Sequence, residues 1–323
     1  MLQVAFAGTF PASLEQPVRR HLTTPCKIIV ASEADILTRL PETDVLVTMA
    51  LTAEMARATT RLKLVQVPGA GVDRIDRAAL PEGTLLANTY GHEVGIAEYA
   101  VGAMLALTRE FAQLDAALRK GDWQSQWAVG TAPPPVWPEL AGGTVGILGY
   151  GRIGQNIARR ARAFDMQICA IRRDIGPSME DDLALLGGPD ILDKVLERSD
   201  YVVVSMPANP ETIGWIGEAQ LRLMKRSAYL INVARAEIVD EDALYHALAR
   251  RTIAGAALDV WYRYPREPGP TAPAARPFHE LPNVLMTPHV SGWTDGMLEA
   301  RAKLIAENIR RIACREAPLN LIG

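Results

Sequence analysis

Cysteine is scarce: the 323 residues hold only three, Cys26, Cys169 and Cys314. Their number is odd, their spacing wide, and no Cys-x-x-Cys pair occurs. This excludes a disulfide framework and a cysteine-rich zinc site, leaves no metal centre expected, and fits a reducing cytoplasm. Excess charge of either sign is also lacking. The formal charge is −3 and the pI about 6.0, so the basic face that attracts nucleic acid or an anionic membrane is absent. Long hydrophobic runs are missing too. Around the most apolar stretch, Glu98 and Arg109 bracket only ten residues, against the roughly 18 needed to span a bilayer. With Gly 25 and Pro 22, the chain is neither collagen-like nor of low complexity. Met1 to Phe10 is apolar but carries no Lys or Arg, and reads as a first strand rather than a secretory leader.

What is present is an ordinary core composition, 49% apolar and 22% charged, in a chain long enough for about two domains. Short apolar runs alternate with longer amphipathic ones. Val4–Ala7, Lys27–Val30, Val45–Met49, Lys63–Val67 and Thr84–Ala87 read as strands. Leu51–Thr60 reads as a helix that Thr52 caps. A second series begins near Thr144, with strands at Thr144–Leu148, Gln167–Ile171, Tyr201–Ser205, Ala228–Asn232, Ile253–Leu258 and Val284–Met286. Helices are expected between them at Ile153–Phe164, Ile191–Arg198, Glu218–Met224 and Glu241–Ala249. Continuous apolar strands separated by helices imply an α/β fold of two doubly wound parallel-sheet domains, each sheet covered on both faces. Ile96–Lys120, rich in Ala and Leu, is expected to be one long helix joining the two series, followed by the Trp- and Pro-rich connection 121–138. The tail, Gly296–Arg315, reads as an amphipathic helix. Tyr262–Pro282 holds six prolines, and is expected to be an irregular loop near a functional mouth.

Gly149-Tyr150-Gly151-Arg152-Ile153-Gly154 is a Gly-x-Gly-x-x-Gly between a strand and a helix. The first glycine permits the tight turn, the second lets a pyrophosphate approach the backbone, and the third lets helix and strand pack closely. The helix N-terminus then offers free N–H groups to the anion. The following strand should end in an acid if the cofactor is NAD. It ends in Arg172-Arg173-Asp174 instead. A guanidinium cannot accept a ribose hydroxyl but grips a 2′-phosphate, so NADP is the expected preference over NAD, with Asp174 as the alternative ribose partner.

Over nearly its whole length the chain resembles the D-isomer-specific 2-hydroxyacid dehydrogenases. The resemblance is carried by Pro68-Gly69-Ala70-Gly71-Val72-Asp73, by Glu139-Leu140-Ala141-Gly142-Gly143-Thr144-Val145-Gly146 leading into the glycine motif, by Ile231-Asn232-Val233-Ala234-Arg235, by Ala257-Leu258-Asp259-Val260 and by Thr287-Pro288-His289. It implies a Rossmann coenzyme domain, residues 96–289, inserted in a flavodoxin-like substrate domain, residues 1–95 and 290–323. It also implies an active site in the cleft and a homodimer. Pro207, Thr212, Val233, Ala234, Asp259, His289 and Gly292 are then further coenzyme contacts, with Asp259 facing the nicotinamide amide.

Arg235 and His289 both follow strands, where open α/β sheets place ligands. A guanidinium can hold a carboxylate and polarise the neighbouring carbonyl. A histidine can give or take the hydroxyl proton near neutral pH, and His289 matches the family's acid–base residue. His21 and His246 read as solvated helix positions and His279 as a loop residue, while His92 stands where substrate contact is conceivable. The backbone of Ala70, Gly71 and Val72 offers a nest for a substrate carboxylate, or else a turn needing positive φ. One departure matters. Where the family places a glutamate beside the histidine, this chain has Tyr264. Tyrosine can hydrogen-bond the imidazole but brings no charge. Glu267 is the alternative partner. Formate dehydrogenases, similar here, carry a glutamine at this place.

The expected activity is hydride transfer between NADP(H) and a small D-2-hydroxy acid or its 2-keto acid. The competing readings are a dehydrogenase of another small acid anion, suggested by Tyr264, and a non-catalytic dinucleotide-sensing protein on the same fold.

Overall fold

The computed structural model describes residues 1–33, 35–130, 134–175 and 182–322. Part of the connection 121–138 therefore lies outside the described residues. The chain forms two compact units, Met1–His92 with Trp293–Gly323, and Glu93–Gly292.

In the first unit β1 (Leu2–Ala7), β2 (Cys26–Ala31), β3 (Val45–Thr48), β4 (Leu64–Gln66) and β5 (Leu85–Ala87) make a parallel sheet in the order β2-β1-β3-β4-β5. Every residue of β3 and β4 is buried, which is why these segments read as mainly apolar runs, Thr48 and Gln66 apart. Helices α1 (Thr9–Ser13), α2 (Glu15–His21) and α3 (Ala53–Arg57) connect the strands. Thr52 caps α3 by accepting the Met55 N–H at 3.2 Å. The first two helices escaped the sequence reading because Pro11 and Pro17 interrupt it. Both sit in or near a first turn, where the missing N–H costs nothing.

The second unit opens with a correction. Ile96–Lys120 is two helices, α4 (Glu93–Thr108) and α5 (Phe111–Leu118). Glu110 stands at φ 51°, ψ 38°, a left-handed residue that stops the α-helical ladder although Ala and Leu continue on both sides. The sheet runs β6 (Thr144–Leu148), β7 (Gln167–Ile171), β8 (Leu185–Gly187), β9 (Tyr201–Val204), β10 (Tyr229–Asn232), β11 (Gly255–Leu258) and β12 (Val284–Met286). All are parallel, in the order β12-β11-β10-β9-β6-β7-β8. Helices α6 (Arg152–Arg162), α7 (Leu192–Arg198), α8 (Glu218–Leu223) and α9 (Glu241–Ala249) cross between strands. One apolar core lies on each face of the sheet, one around Leu196, Leu230 and Phe278, the other around Met104, Ile147 and Ile231. The strand order reverses between β6 and β9, and such a reversal opens a crevice at the carboxyl ends of the strands. The three-residue edge strand β8 was not expected.

The closing helix α10 (Asp295–Ala313) returns to the first unit and packs Ala302, Ile305, Ala306 and Ile309 against the β1 side of its core. Among the described residues no helix is long and apolar enough to cross a membrane.

Candidate active site

Gly149 ends β6 at φ 109°, and a Cβ there would sit 2.7 Å from the backbone nitrogen of Met206. Glycine is required twice over, by conformation and by contact. The N–H groups of Gly149 and Tyr150 both donate to Ile171 O, at 3.1 and 2.8 Å, and Ser205 Oγ donates to Gly149 O at 2.9 Å. The turn is thus fixed from both neighbouring strands. Gly154 faces inward, where a Cβ would collide with Gly149 O and the Ile147 side chain. Gly151 differs: a Cβ there would meet nothing within 4 Å. It is the N-cap of α6 and supplies no side-chain cap, so the start of the helix turns an end without a side-chain cap toward the glycine turn.

A cavity of about 500 Å³ opens over this turn. Gly149, Tyr150, Gly151, Arg172, Arg173, Asp174, Pro207 and Thr212 line it, together with Ser205, Met206, Asn209, Glu211 and Trp215, which sequence reasoning had not selected. Residues after β6, β7 and β9 meet at the reversal point of the sheet. The free space at Gly151 and the uncapped helix end fit a dinucleotide pyrophosphate. Arg172 donates to Tyr150 O at 3.5 Å, and Arg173 pairs with Asp174 at 3.5 Å. Two guanidiniums and one carboxylate therefore stand at the β7 end of the cavity. Thr212 accepts the Asn209 N–H and donates to Pro207 O, both at 2.9 Å, which shapes the opposite wall.

A second group of expected residues gathers at the ends of β10, β11 and β12. Buried Asn232 accepts the Ala234 N–H at 3.1 Å and donates to Arg235 O at 3.0 Å. This turn, with Val233 and Ala234 buried in it, aims the half-buried Arg235. His289 stands at φ 59°, a conformation a β-carbon disfavours. Its Nδ1 lies 2.7 Å from Tyr264 Oη, and Tyr264 Oη accepts the Trp261 N–H at 3.3 Å. Tyr264, not the exposed Glu267, is the hydrogen-bond partner of His289. The phenol can donate to Nδ1 when the neutral imidazole carries its proton on Nε2, and can accept from Nδ1–H when the ring is charged. Desolvation lowers the His289 pKa below the ordinary imidazole value; the positive Arg235 acts in the same direction and Asp259 opposes both. Desolvation raises the Tyr264 phenol, so it stays protonated.

Asp259 also has a structural task that the resemblance does not mention. It is fully buried. Its Oδ1 accepts from Thr287 Oγ1 at 2.6 Å and the Val290 N–H at 2.9 Å, and its Oδ2 from the Ser291 N–H at 2.9 Å. The carboxylate is spent on the loop that carries His289 and leads to Gly292. No local signal announces this, since its partners lie 28–32 positions away.

Ala70, Gly71 and Val72 belong to the first unit. Asn88 Nδ2 donates to Ala70 O at 2.8 Å. Neither Gly69 nor Gly71 is among the positive-φ glycines, so the turn does not need glycine for that reason. His92 is buried and hydrogen-bonds Arg301 at 3.0 Å. His21 meets Glu299 at 3.0 Å, while His246 and His279 are exposed.

The second unit is thus built as a dinucleotide-binding Rossmann domain, with an arginine after β10 and a histidine after β12, the two strands that flank β11. The sequence model described as "D-isomer specific 2-hydroxyacid dehydrogenase, NAD binding domain" matches residues 101–291. A glyoxylate reductase of Korarchaeum cryptofilum is 35% identical over 300 residues, 90% of this chain and 86% of the relative. A D-3-phosphoglycerate dehydrogenase of Methanocaldococcus jannaschii is 32% identical over 90% of this chain, which spans only 54% of that longer relative. Among solved structures, an NADPH-dependent glyoxylate/hydroxypyruvate reductase from Sinorhizobium meliloti, in complex with NADP and malonate, superposes with TM-score 0.80 at 27% identity, over 100% of this chain and 97% of the other. The chain belongs to the D-isomer-specific 2-hydroxyacid dehydrogenase family, NAD(P)-dependent oxidoreductases acting on the CH–OH group of 2-hydroxy acids.

Proposed function

We propose that the protein is a reductase of small 2-keto acids that prefers NADP(H), yields the D-2-hydroxy acid, and works as a cytoplasmic homodimer. The observation that carries the reading is the Tyr264–His289 hydrogen bond of 2.7 Å in the electrostatic reach of Arg235, on the same sheet as the glycine-turn cavity. When bound, the cofactor supplies or accepts the hydride at C4 of its nicotinamide ring. The N–H groups at the start of α6 would hold its pyrophosphate, and Arg172 with Arg173 would meet a 2′-phosphate. Arg235 pairs with the substrate carboxylate and polarises the adjacent carbonyl. His289 delivers a proton from Nε2 to the forming alkoxide, or removes it in the oxidative direction. Tyr264 holds the ring by Nδ1 throughout, since a hydroxyl donates to imidazole and accepts from imidazolium equally well.

The relatives named glyoxylate reductase support a substrate at the small end of the 2-keto acids, and the complex with NADP supports the cofactor. The homodimer is supported by apolar side chains left in solvent along the start of the second unit: Val94, Phe111, Leu118, Trp123 and Trp127 are all exposed. The test is steady-state reduction of glyoxylate by NADPH in wild type, Arg235→Gln and His289→Asn. The first substitution should raise the KM for the acid, and the second should lower kcat with cofactor affinity retained. Equal activity in all three proteins would remove both roles.

A further inference from the structure

His289 is the least comfortable residue of the site. Its backbone is left-handed at φ 59°, yet proton transfer needs its ring held to within a fraction of an ångström. The loop it sits in has no regular structure to hold it. What holds it is a partly buried chain of polar groups, centred on buried Asp259, that starts on another element. Tyr99, on α4, has its hydroxyl 2.7 Å from Thr287 Oγ1. Thr287 Oγ1 donates to Asp259 Oδ1 at 2.6 Å, so Tyr99 is the donor to Thr287. Asp259 in turn accepts the N–H groups of the two residues that follow His289, Val290 and Ser291, at 2.9 Å each. His289 is therefore spanned, with Thr287 before it and Val290 and Ser291 after it all tied to one carboxylate. That carboxylate is wholly buried, so each of its bonds counts: there is no water to replace one that is lost.

We propose that Tyr99 and Thr287 are positioning residues of the hydride-transfer reaction. They orient Asp259 so that it clamps the left-handed turn at His289. The kinetic consequence rests on the 2-keto acid reductase reading; the clamp itself does not. Tyr99 meets this chain from α4, far away in sequence, and nothing in the local sequence marks it. Its hydroxyl is half-buried on a helix, and desolvation raises its pKa to about 12. It is thus a permanent donor across the working pH range.

The experiment uses Thr287→Val, which keeps the shape and removes the hydroxyl, Thr287→Ser, which restores it, and Tyr99→Phe. Two quantities are read. Amide exchange at Val290 and Ser291 is followed in the protein without cofactor, and kcat and the cofactor KM are measured with glyoxylate and NADPH. Thr287→Val should speed the exchange and lower kcat on the order of 10-fold, the loss of about one hydrogen bond to a charged group. The cofactor KM should stay as in wild type. Thr287→Ser should recover both, and Tyr99→Phe should move them the same way by less. A rise in cofactor KM at unchanged kcat in Thr287→Val would overturn the proposal, because the lost hydroxyl would then act on cofactor binding and not on the His289 turn. So would a Thr287→Ser protein as impaired as Thr287→Val, or exchange unchanged in both Thr287→Val and Tyr99→Phe. A wild type that turns over no keto acid would refute the reductase reading alone, and the exchange measurement would still decide the clamp.

Discussion

Replacing Tyr264 by glutamate should move the pH dependence of keto-acid reduction upward. The reaction draws a proton from the His289 imidazolium. That species exists only below a pKa which desolvation and Arg235 hold under the ordinary imidazole value. In the wild type kcat/KM for reduction should therefore fall as pH rises through a value below about 6.5. A carboxylate at position 264 favours the charged ring. Unit charges about 4 Å apart interact by about 1 kcal/mol in water and about 4 kcal/mol at an effective dielectric of about 20. Tyr264 is 48% exposed, and glutamate is shorter than tyrosine, so the gain belongs near the lower figure, about 1–2 kcal/mol. That is a rise of about one pH unit in the falling limb. Tyr264→Phe should leave the limb nearly in place and lower the plateau, since it removes the ring's support without adding charge. The assay is kcat/KM against pH for reduction in the three proteins, after a deuteride isotope effect has established that hydride transfer limits the rate. A limb that does not move in Tyr264→Glu would refute the reasoning. If the same limb then dropped in Glu267→Gln, Glu267 would be the electrostatic partner in solution.

Three other outcomes follow from the cofactor cavity and the exposed apolar surface. Arg172→Ala should cost NADPH roughly 10- to 100-fold in kcat/KM and leave NADH nearly unchanged, the worth of one charge-assisted hydrogen bond; an unaltered NADPH to NADH ratio would contradict the 2′-phosphate assignment. Gly151→Ala should leave the melting temperature of the cofactor-free protein in place, because its Cβ meets nothing within 4 Å, while Gly154→Ala, which runs into Gly149 O and Ile147, should lower it by several degrees. Both variants should bind NADPH more weakly, and a Gly151→Ala protein with wild-type affinity would remove the pyrophosphate from this turn. Light scattering at micromolar concentration should give twice the 35.2 kDa chain mass, and a particle of the single-chain mass would remove the dimer.

The fold was legible where burial alone determines the pattern. Strands covered on both faces, such as Val45–Thr48 and Tyr201–Val204, read directly as apolar runs. Legibility failed where a single backbone angle decides. Nothing in the composition around Glu110 distinguishes its left-handed turn from continued helix. Edge strand β8 has only three residues, too few for a period. At the site, residue types with local context were legible: glycines between strand and helix, an arginine at the end of β7, a histidine after β12. Partnerships across the sheet were not. Ser205 locking Gly149, Asn232 shaping the Arg235 turn, and Thr287 bonding Asp259 all join residues through space or through unremarkable sequence. Asp259 is an example: its hold on the histidine loop joins residues about thirty positions apart and has no local mark.

The central claim is that this site reduces a small 2-keto acid with hydride from NADPH. The measurement that meets it most directly is absorbance loss at the reduced-nicotinamide band when purified protein is mixed with NADPH and a panel of such acids, glyoxylate and hydroxypyruvate among them, with chiral analysis of the product where it has a stereocentre. Turnover should be abolished in His289→Asn, be faster with NADPH than with NADH, and give the D product. Tight NADPH binding with no turnover of any acid in the panel would contradict it and leave a dinucleotide-sensing protein on a dehydrogenase fold.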